Sequence, residues 1–280
     1  MCGIAGFFDP SGRLADPAAV LESMQSQMVR RGPDDRGIFF DSERRVGLAH
    51  RRLSIVDLSP QGRQPMVSAS GRYRIDYNGE VYNFQALRQE LEAEGGRVVG
   101  GSDTAVVLAA FERWGVEEAL DRFVGMFAFA VLDIETNRLV LARDRLGIKP
   151  LYHGWIGPAK RGVFAFGSDL RALAVVPGFE GTIDRGAVAA YLRFLYVPCP
   201  WTIFAGIGKL APGHLAIVHL DDGAVEQRRW WDARSVAAAA AAQPIDDERE
   251  AVDRLEAALG DAVQLRMVSD VPLGAFLSGG

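Results

Sequence analysis

Cys2 is the residue best placed to do covalent chemistry, because it directly follows the initiator methionine. Methionine aminopeptidase removes Met1 when the second side chain is small, which leaves a thiol and a free α-amine on one residue. An α-amine has a pKa of about 8, so a useful fraction is neutral at pH 7 and accepts the thiol proton. Such a nucleophile needs no histidine. The alternative is a small buried apolar side chain, which is the usual state of a cysteine.

Asn78 and Gly79 allow two interpretations. Asn-Gly is the strongest short signal for a type I′ hairpin turn. The alternative is an oxyanion hole, in which the Asn78 amide and the Gly79 backbone N–H donate hydrogen bonds to a developing alkoxide. The sequence of this segment alone does not choose between them.

Arg52 and Asp103 suit the binding of a free amino acid. The guanidinium of Arg52 can bind an α-carboxylate with two hydrogen bonds, whereas Arg51 is expected at the surface. Asp103 either favours a helix dipole as an N-terminal residue or accepts a hydrogen bond from a substrate ammonium. An arginine, an aspartate and an amide-cleaving thiol are what recognition of an amino acid with a side-chain amide requires.

Two further segments carry weaker signals. Ser278, Gly279 and Gly280 are either a flexible tail or a strand-to-loop turn whose backbone N–H groups bind phosphate. Cys199 stands between two prolines without a base nearby in sequence, and we expect it to be structural or incidental.

The elements that must position these residues follow from apolar patterning and turn signals. Strands are predicted at 4–8, 123–132, 138–143, 163–166 and 271–277. Helices are predicted from Pro17, with Asp16 as N-cap, to the stop at Gly32-Pro33, and at 84–94, 103–114 and 246–267. The segment 221–223 is typical of a hairpin turn, and the alanines at 237–242 either extend a helix or form a flexible connector.

Composition excludes several classes of protein. The chain has 280 residues and a net charge of −5, which argues against broad electrostatic binding of nucleic acid. Two cysteines cannot form a disulfide scaffold. The sequence lacks a signal peptide and an apolar run of the roughly 18 residues that would span a bilayer. We therefore expect a cytoplasmic protein without a membrane partner.

The C-terminal end has the pattern of an incomplete unit. A helix, a strand and the beginning of a glycine-rich turn follow the alanines, which amounts to about half of a βαβ unit. We therefore expect the sequence to be a fragment that ends just inside a second domain.

Several ordered motifs resemble those of the glutamine-dependent asparagine synthetase family. They are Met-Cys-Gly-Ile-Ala-Gly at 1–6, Arg-Gly-Pro-Asp at 31–34, Ala-His-Arg-Arg-Leu-Ser-Ile-Val-Asp at 49–57, Asn-Gly-Glu-Val-Tyr-Asn at 78–83, Ser-Asp-Thr at 102–104, Gly-Met-Phe-Ala-Phe at 125–129, Ala-Arg-Asp-Arg-Leu-Gly-Ile-Lys-Pro-Leu-Tyr at 142–152 and Ser-Asp-Val-Pro-Leu-Gly-Ala-Phe-Leu-Ser-Gly-Gly at 269–280.

The resemblance implies an α+β fold of four layers, αββα, of the N-terminal-nucleophile hydrolase type, followed by the truncated start of an α/β ATP-pyrophosphatase domain. The implied domains are a class II glutamine amidotransferase at 2–218, a linker at 219–245 and the truncated domain at 246–280. In the family, glutamine is hydrolysed through a cysteine thioester, and the ammonia amidates aspartate that ATP and Mg²⁺ have activated.

The resemblance also implies roles for individual residues. Cys2 is the nucleophile, and Asn78 with Gly79 form the oxyanion hole. For glutamine, Arg52 binds the carboxylate while Glu80 and Asp103 hold the α-amino group. The partial nucleotide loop would consist of Ser278, Gly279 and Gly280. The glutaminase half needs no cofactor or metal, and a homodimer is expected.

One departure from the family is Arg30, which stands where a histidine is common, and we expect at most a structural consequence. Three alternatives remain. One is another amidotransferase, such as glucosamine-phosphate synthase or amidophosphoribosyltransferase, although the Leu-Ser-Gly-Gly end argues against both. Another is a related synthetase that amidates a different carboxylate in a polysaccharide or natural-product pathway. The last is a non-catalytic regulatory module.

Overall fold

The chain folds into strands and helices that form two sheets covered by helical layers. The computed structural model describes residues 1–54 and 62–275. The strands are β1 (Gly3–Phe8), β2 (Asp35–Asp41), β3 (Val46–Arg52), β4 (Met66–Val67), β5 (Tyr73–Val81), β6 (Gly125–Asp133), β7 (Arg138–Arg143), β8 (Tyr152–Ile156), β9 (Val163–Gly167), β10 (Ile207–Lys209), β11 (His214–His219) and β12 (Val225–Arg229). The helices are α1 (Pro17–Ser26), α2 (Phe84–Ala93), α3 (Asp103–Arg122), α4 (Leu170–Ala174), α5 (Arg185–Phe194), α6 (Ala233–Ala241) and α7 (Glu248–Gln264).

Each of the two sheets has six strands among the described residues. The order in the first sheet is β10-β8-β9-β1-β3-β2, and in the second it is β12-β11-β7-β6-β5-β4. The pairings are antiparallel. The fold is therefore α+β, as the sequence predicted.

Buried apolar clusters separate the layers. One cluster lies between the two sheets and joins Ile4 and Leu48 of the first to Ala130 and Leu141 of the second. A second cluster packs α1 and α4 against the first sheet, and a third packs α2 and α3 against the second sheet. Layers therefore follow in the order helix, sheet, sheet, helix, which confirms the predicted four-layer arrangement.

Strand β6 shows why the sheets are covered on both faces. Its residues alternate between the cluster among the helices, which holds Phe127 and Phe129, and the cluster between the sheets, which holds Ala128 and Ala130. A strand buried on both faces has a nearly continuous apolar sequence. This pattern made the 123–132 prediction correct, and β1, β7 and β9 also form where strands were predicted.

Two helices differ in detail from their predictions. Helix α1 has the predicted Asp16 cap but ends at Ser26, well before Gly32, because Met28 N–H bonds to Gln25 C=O in a tighter turn. Helix α3 begins at Asp103 as predicted and is interrupted at Gly115, whose φ is 77°, before a further helical segment continues to Arg122.

The C-terminal part contains both confirmed and wrong predictions. The turn at 221–223 joins β11 to β12 in a hairpin, so the predicted linker at 219–245 contains a strand and then α6. Helix α7 forms where predicted, with its apolar stripe exposed. The strand predicted at 271–277 is described only over residues 271–275, and these form no strand. The prediction is wrong for these residues, because no described strand pairs with them and an isolated strand is not stable.

The location of Leu141 predicts a large loss of stability on truncation. Leu141 is fully buried between the sheets, so Leu141→Ala should lower the free energy of unfolding by about 2–5 kcal/mol, measured by urea denaturation. Leu255→Ala on α7 is the matched control: this leucine is 60% exposed, so its loss should cost no more than about 0.5 kcal/mol. Equal effects of the two substitutions would contradict the layer arrangement.

Candidate active site

Cys2 lies at the start of β1, beside the end of β3. Gly3 pairs with Arg51, and Ile4 pairs with His50, in the antiparallel register of these strands. Continuing the register places Cys2 opposite Arg52. Because side chains alternate along a strand, Cys2, His50 and Arg52 share the face that looks toward the second sheet.

Strand β5 presents a row of polar side chains from the second sheet. Asp76 and Asn78 pair with Ala130 and Ala128, whose side chains lie between the sheets. The same alternation places Glu80 on this face. The two rows of polar side chains therefore face each other across the gap between the sheets.

Asn78 and Gly79 lie inside a strand, so the hairpin interpretation is wrong. They pair with Ala128 and Phe127 in the middle of a long antiparallel ladder. Gly79 is required by packing, because a Cβ there would lie 2.4 Å from the carbonyl oxygen of Met126. The local Asn-Gly signal is overridden by pairing on β6 and by burial on both faces.

Both groups are oriented as hydrogen-bond donors toward the site. Asn78 is buried, and its Nδ2 has no hydrogen-bond partner within the described residues. Phe127 directs its N–H and C=O toward Asp144, away from Gly79. The Gly79 N–H consequently points to the opposite side of β5, between the N–H groups that bond to Gln64 and Asp103.

A cavity of about 160 Å³ brings together the residues that the sequence analysis assigned to the glutamine site. Its lining includes Cys2, Arg52, Asn78, Gly79, Glu80 and Asp103, together with Met1, Leu53, Gly62, Gln64, Tyr77, Ser102, Thr104, Met126 and Lys149. The structure thus collects side chains from β1, β3, β5 and the start of α3.

The Cys2 backbone and sulfur are held by hydrogen bonds from neighbouring turns. Arg31 donates from Nε to the Cys2 carbonyl oxygen at 3.1 Å. The Leu53 N–H donates to Sγ at 3.4 Å, and Sγ lies 3.7 Å from the Leu53 carbonyl oxygen. Burial raises the pKa of the thiol, but His50 and the Leu53 N–H together bring it below its ordinary value.

Asp103 begins α3 and also lines the cavity, so its position is compatible with either interpretation offered for it. Its Oδ2 accepts hydrogen bonds from Tyr77 Oη at 2.9 Å and the Val81 N–H at 3.0 Å. Burial raises the pKa of Asp103, and burial followed by the charge of Asp103 raises the pKa of Glu80. Two desolvated carboxyl groups at one end of the cavity suit a cationic group.

Lys149 is a cavity residue that the sequence analysis quoted within a motif but gave no role. Asp144 accepts hydrogen bonds from the backbone N–H groups of Leu146, Ile148 and Lys149, which fixes the loop that carries the lysine. Burial lowers the pKa of Lys149, while Glu80 opposes this effect. The sequence signal that could have identified Lys149 is its position in the long motif at 142–152.

His50 is the other residue that sequence reasoning missed, because a histidine was judged unnecessary. It is fully buried, and its Nδ1 lies 2.6 Å from Oδ1 of Asp76, also fully buried. Burial opposes the charged ring, but Asp76 and Cys2 raise the pKa of His50 to about 9. Burial raises the pKa of Asp76 to about 6 despite the opposing effect of His50. Asp76 lies far from His50 in sequence, so no local pattern pairs them.

The remaining predicted residues lie elsewhere. Ser278, Gly279 and Gly280 fall outside the described residues. Cys199 is exposed as a residue, as expected of an incidental cysteine, although partial desolvation of the sulfur raises the pKa of the thiol. Within residues 1–54 and 62–275, no cluster of three or more His, Cys, Asp or Glu side chains could hold a metal ion. No helix of that part is long and apolar enough to cross a membrane.

The His50 pKa predicts how stability depends on pH. A folded-state pKa of about 9 lies above the ordinary 6.5, so His50 stabilises the fold fully below pH 6.5 and loses this contribution as pH rises through 9. Above pH 7 Asp76 is ionised in both folded and unfolded chains. Ionisation of the Cys2 thiol in the folded chain has the opposite effect on stability, so the prediction applies to a Cys2→Ala background. There the free energy of unfolding should fall as pH rises above 7, by up to about 1.4 kcal/mol per pH unit.

Urea denaturation at several pH values tests this dependence. In the Cys2→Ala background, the stability difference between the chain that keeps His50 and Asp76 and the variant that also carries His50→Gln and Asp76→Asn should shrink as pH rises above 7. His153→Gln is the control, because burial lowers the pKa of His153 to about 4 and leaves it neutral throughout. If the stability difference for the double variant does not change with pH, His50 is not an imidazolium in the folded chain.

Comparisons with known proteins place this geometry in a family. The glutamine amidotransferase domain model matches residues 1–231, and the asparagine synthase model matches residues 254–280. The chain is 36% identical over 283 residues to asparagine synthetase [glutamine-hydrolyzing] 3 of Bacillus subtilis, and 37% identical over 283 residues to asparagine synthetase [glutamine-hydrolyzing] 1 of the same species. These alignments cover the whole chain but only 44% and 42% of the two relatives.

A solved structure supports the fold. The glutamine phosphoribosylpyrophosphate amidotransferase of B. subtilis superposes with a TM-score of 0.61 at 18% identity, over 82% of this chain and 49% of that one. At this identity the likeness concerns the fold alone. Taken with the match over residues 1–231, the two facing sheets and the N-terminal cysteine identify the chain as a member of the glutamine amidotransferase domain family.

Proposed function

We propose that the chain hydrolyses the side-chain amide of free glutamine to glutamate and ammonia, with Cys2 as the nucleophile. The observation that carries this proposal is one cavity that holds a thiol, a buried amide donor without a partner among the described residues, and residues of opposite charge for an amino acid. The thiol is Cys2, the donor is Asn78, and the charged residues are Arg52, Glu80 and Asp103.

The charged residues bind the α-carboxylate and α-ammonium groups, which all free α-amino acids share. The Arg52 guanidinium holds the α-carboxylate of glutamine, and the carboxylates of Glu80 and Asp103 hold its α-ammonium group. Because both ends of the amino acid are held, the side-chain amide is directed at the sulfur. This fixed orientation replaces a bimolecular encounter with a step inside one complex.

Cleavage begins with the thiol. After removal of Met1, the Cys2 α-amine accepts the thiol proton, and Sγ forms a bond to the amide carbon of glutamine. The electron pair of the carbonyl bond moves to the oxygen, which the Asn78 amide and the Gly79 N–H stabilise. On collapse, the nitrogen takes a proton from the α-ammonium group and leaves as ammonia.

Water completes the cycle. The α-amine accepts a proton from water as its oxygen bonds to the thioester carbon, and the C–S bond then breaks. Glutamate is released, and Sγ recovers its proton. The net reaction consumes one glutamine and one water for each glutamate and ammonia, with no cofactor in this half.

The names of the relatives support a larger proposal for the full-length protein. The chain spans less than half of each of the two relatives described above, so asparagine synthesis from aspartate with ATP and Mg²⁺ is proposed for a protein that includes further sequence. Residues 278–280, proposed to contact ATP phosphates, lie outside the described residues, and we derive no step through ATP. The domain boundaries, a cytoplasmic location and a homodimer remain proposals.

Substitution of the nucleophile tests the glutaminase proposal. Cys2→Ala should reduce glutamate release from glutamine to background, because no other thiol lines the described cavity. Cys199→Ser is the matched control and should leave the rate unchanged, because this exposed cysteine lies outside the cavity. Mass spectrometry of the N-terminus should find Met1 removed from the active chain. Equal rates for wild-type and Cys2→Ala chains would refute the proposal.

Asn78 and Arg52 should affect different kinetic constants. Asn78→Ala removes a donor to the developing oxyanion and should lower kcat by about 10²–10³-fold with little change in KM. Arg52→Ala removes a contact made in both ground and transition states and should raise KM with a smaller effect on kcat. Arg51→Ala is the control, because its side chain lies on the opposite face of β3. Identical effects of the Asn78 and Arg52 substitutions would argue against separate roles.

A further inference from the structure

We propose that His50 and Asp76 form a thiolate-stabilising pair, in which Asp76 holds the His50 ring as an imidazolium whose charge keeps Cys2 ionised before glutamine binds. This inference rests on the proposed glutaminase function and adds to it two positioning residues. They act through the sulfur and have no contact with the substrate assigned to them.

The strand register places His50 near the nucleophile. His50 is opposite Ile4 on the adjacent strand, and Cys2 lies two residues before Ile4 on the same face. Cys2 and His50 are therefore diagonal neighbours, a relation in which long side chains of adjacent strands reach one another.

Asp76 reaches His50 from the second sheet. Its Oδ1 lies 2.6 Å from the His50 Nδ1, and both side chains are fully buried. Removing two ionisable groups from water is costly, and an apolar pair of similar volume would often stabilise a fold as well. The residues around the pair, such as Ala128 and Ala130, show that an apolar solution is used next to it. Stability alone therefore does not account for the pair.

The second ring nitrogen of His50 is available to the sulfur. Asp76 engages Nδ1, whereas Nε2 is buried and has no hydrogen-bond partner within the described residues. A carboxylate on one ring nitrogen fixes the ring orientation and stabilises its charged form. The imidazolium charge then stabilises the thiolate that forms when the Cys2 α-amine takes the thiol proton.

Other charged groups also face the thiol. The Met1 terminal amine, Arg31, Arg52 and Lys149 are positive, while Asp34, Glu80 and Asp103 are negative, and Tyr77 lines the same cavity. Burial raises the pKa of the thiol, and His50 is the main influence that lowers it, ahead of the Leu53 N–H and the terminal amine. His50 is also more deeply buried than Arg52 or Lys149, because its side chain is fully excluded from solvent.

The division of roles follows from mobility. The Cys2 α-amine is at the chain end and can turn toward the leaving nitrogen or water, whereas the His50 ring is fixed between two sheets. The pair therefore determines the resting ionisation of the sulfur. The amine carries protons during the later steps.

Alkylation of Cys2 across a pH range tests the pair without glutamine. The full chain with Met1 removed and Cys199→Ser in the background is treated with iodoacetamide from pH 5 to 10, and modification of the Cys2 peptide is followed by mass spectrometry. His50→Gln should raise the midpoint for thiolate formation by about one pH unit or more, which slows alkylation at pH 6.5 about tenfold. Asp76→Asn should shift the midpoint in the same direction.

Two further variants keep the result decisive. His153→Gln replaces another buried histidine of the first sheet and should leave the midpoint unchanged. The double variant His50→Gln, Asp76→Asn retains a neutral pair of similar size, so it serves if a single variant does not fold. An unchanged midpoint in a folded His50 variant would overturn the inference.

The two proposals fail in different ways. Cys2-dependent glutamate release combined with an unchanged midpoint would remove only the His50–Asp76 pair. A shifted midpoint in a chain that releases no glutamate would establish the pair while removing the proposed glutaminase function.

Discussion

The structure depends on β1 being an interior strand of the first sheet. Chain termini are usually poorly ordered, yet here the first strand is hydrogen-bonded to β3 on one side and to β9 on the other. This double pairing fixes the backbone directly after Cys2, so the N-terminal residue has one position relative to the end of β3. The mechanism proposed for Cys2 depends on this rigidity, because the α-amine of a mobile terminus would move independently of the site.

The second requirement is that two sheets face each other with different chemistry along the gap. Apolar residues such as Leu48 and Leu141 fill most of it, and polar side chains of β3 and β5 meet at the end near Cys2. Burying polar groups is costly unless they are paired. His50 and Asp76 are paired through Nδ1 and Oδ1 at 2.6 Å. In the described part of the chain, the His50 Nε2, the Asp76 Oδ2 and the Asn78 Nδ2 have no protein partner. An unpaired donor such as Asn78 Nδ2 at a cavity is the arrangement expected where a ligand supplies the missing acceptor.

The turns around the site are held by side-chain hydrogen bonds to the backbone. Asp34 accepts from the Ser54 N–H at 2.8 Å, and Arg31 donates to the Cys2 carbonyl oxygen, so the Arg-Gly-Pro-Asp segment joins the N-terminus to the end of β3. Asp144 organises the loop that carries Lys149. These contacts explain why the motifs include residues that do not line the cavity. The replacement of histidine by Arg30 leaves them in place, since the Arg30 side chain is exposed.

The sequence by itself determined the local elements and the residue types of the site. Continuous apolar runs predicted β1 and β6, the Asp16-Pro17 pair predicted the start of α1, and the position of Cys2 after Met1 pointed to the chemistry proposed for it. Only the tertiary structure decided that Asn78-Gly79 is a strand interior, because pairing with β6 outweighs the local preference for a turn. It alone joined His50 to Asp76 and brought Lys149 into the cavity. Strand register and the packing of one sheet on another are long-range relations, which side-chain periodicity within a single segment does not encode.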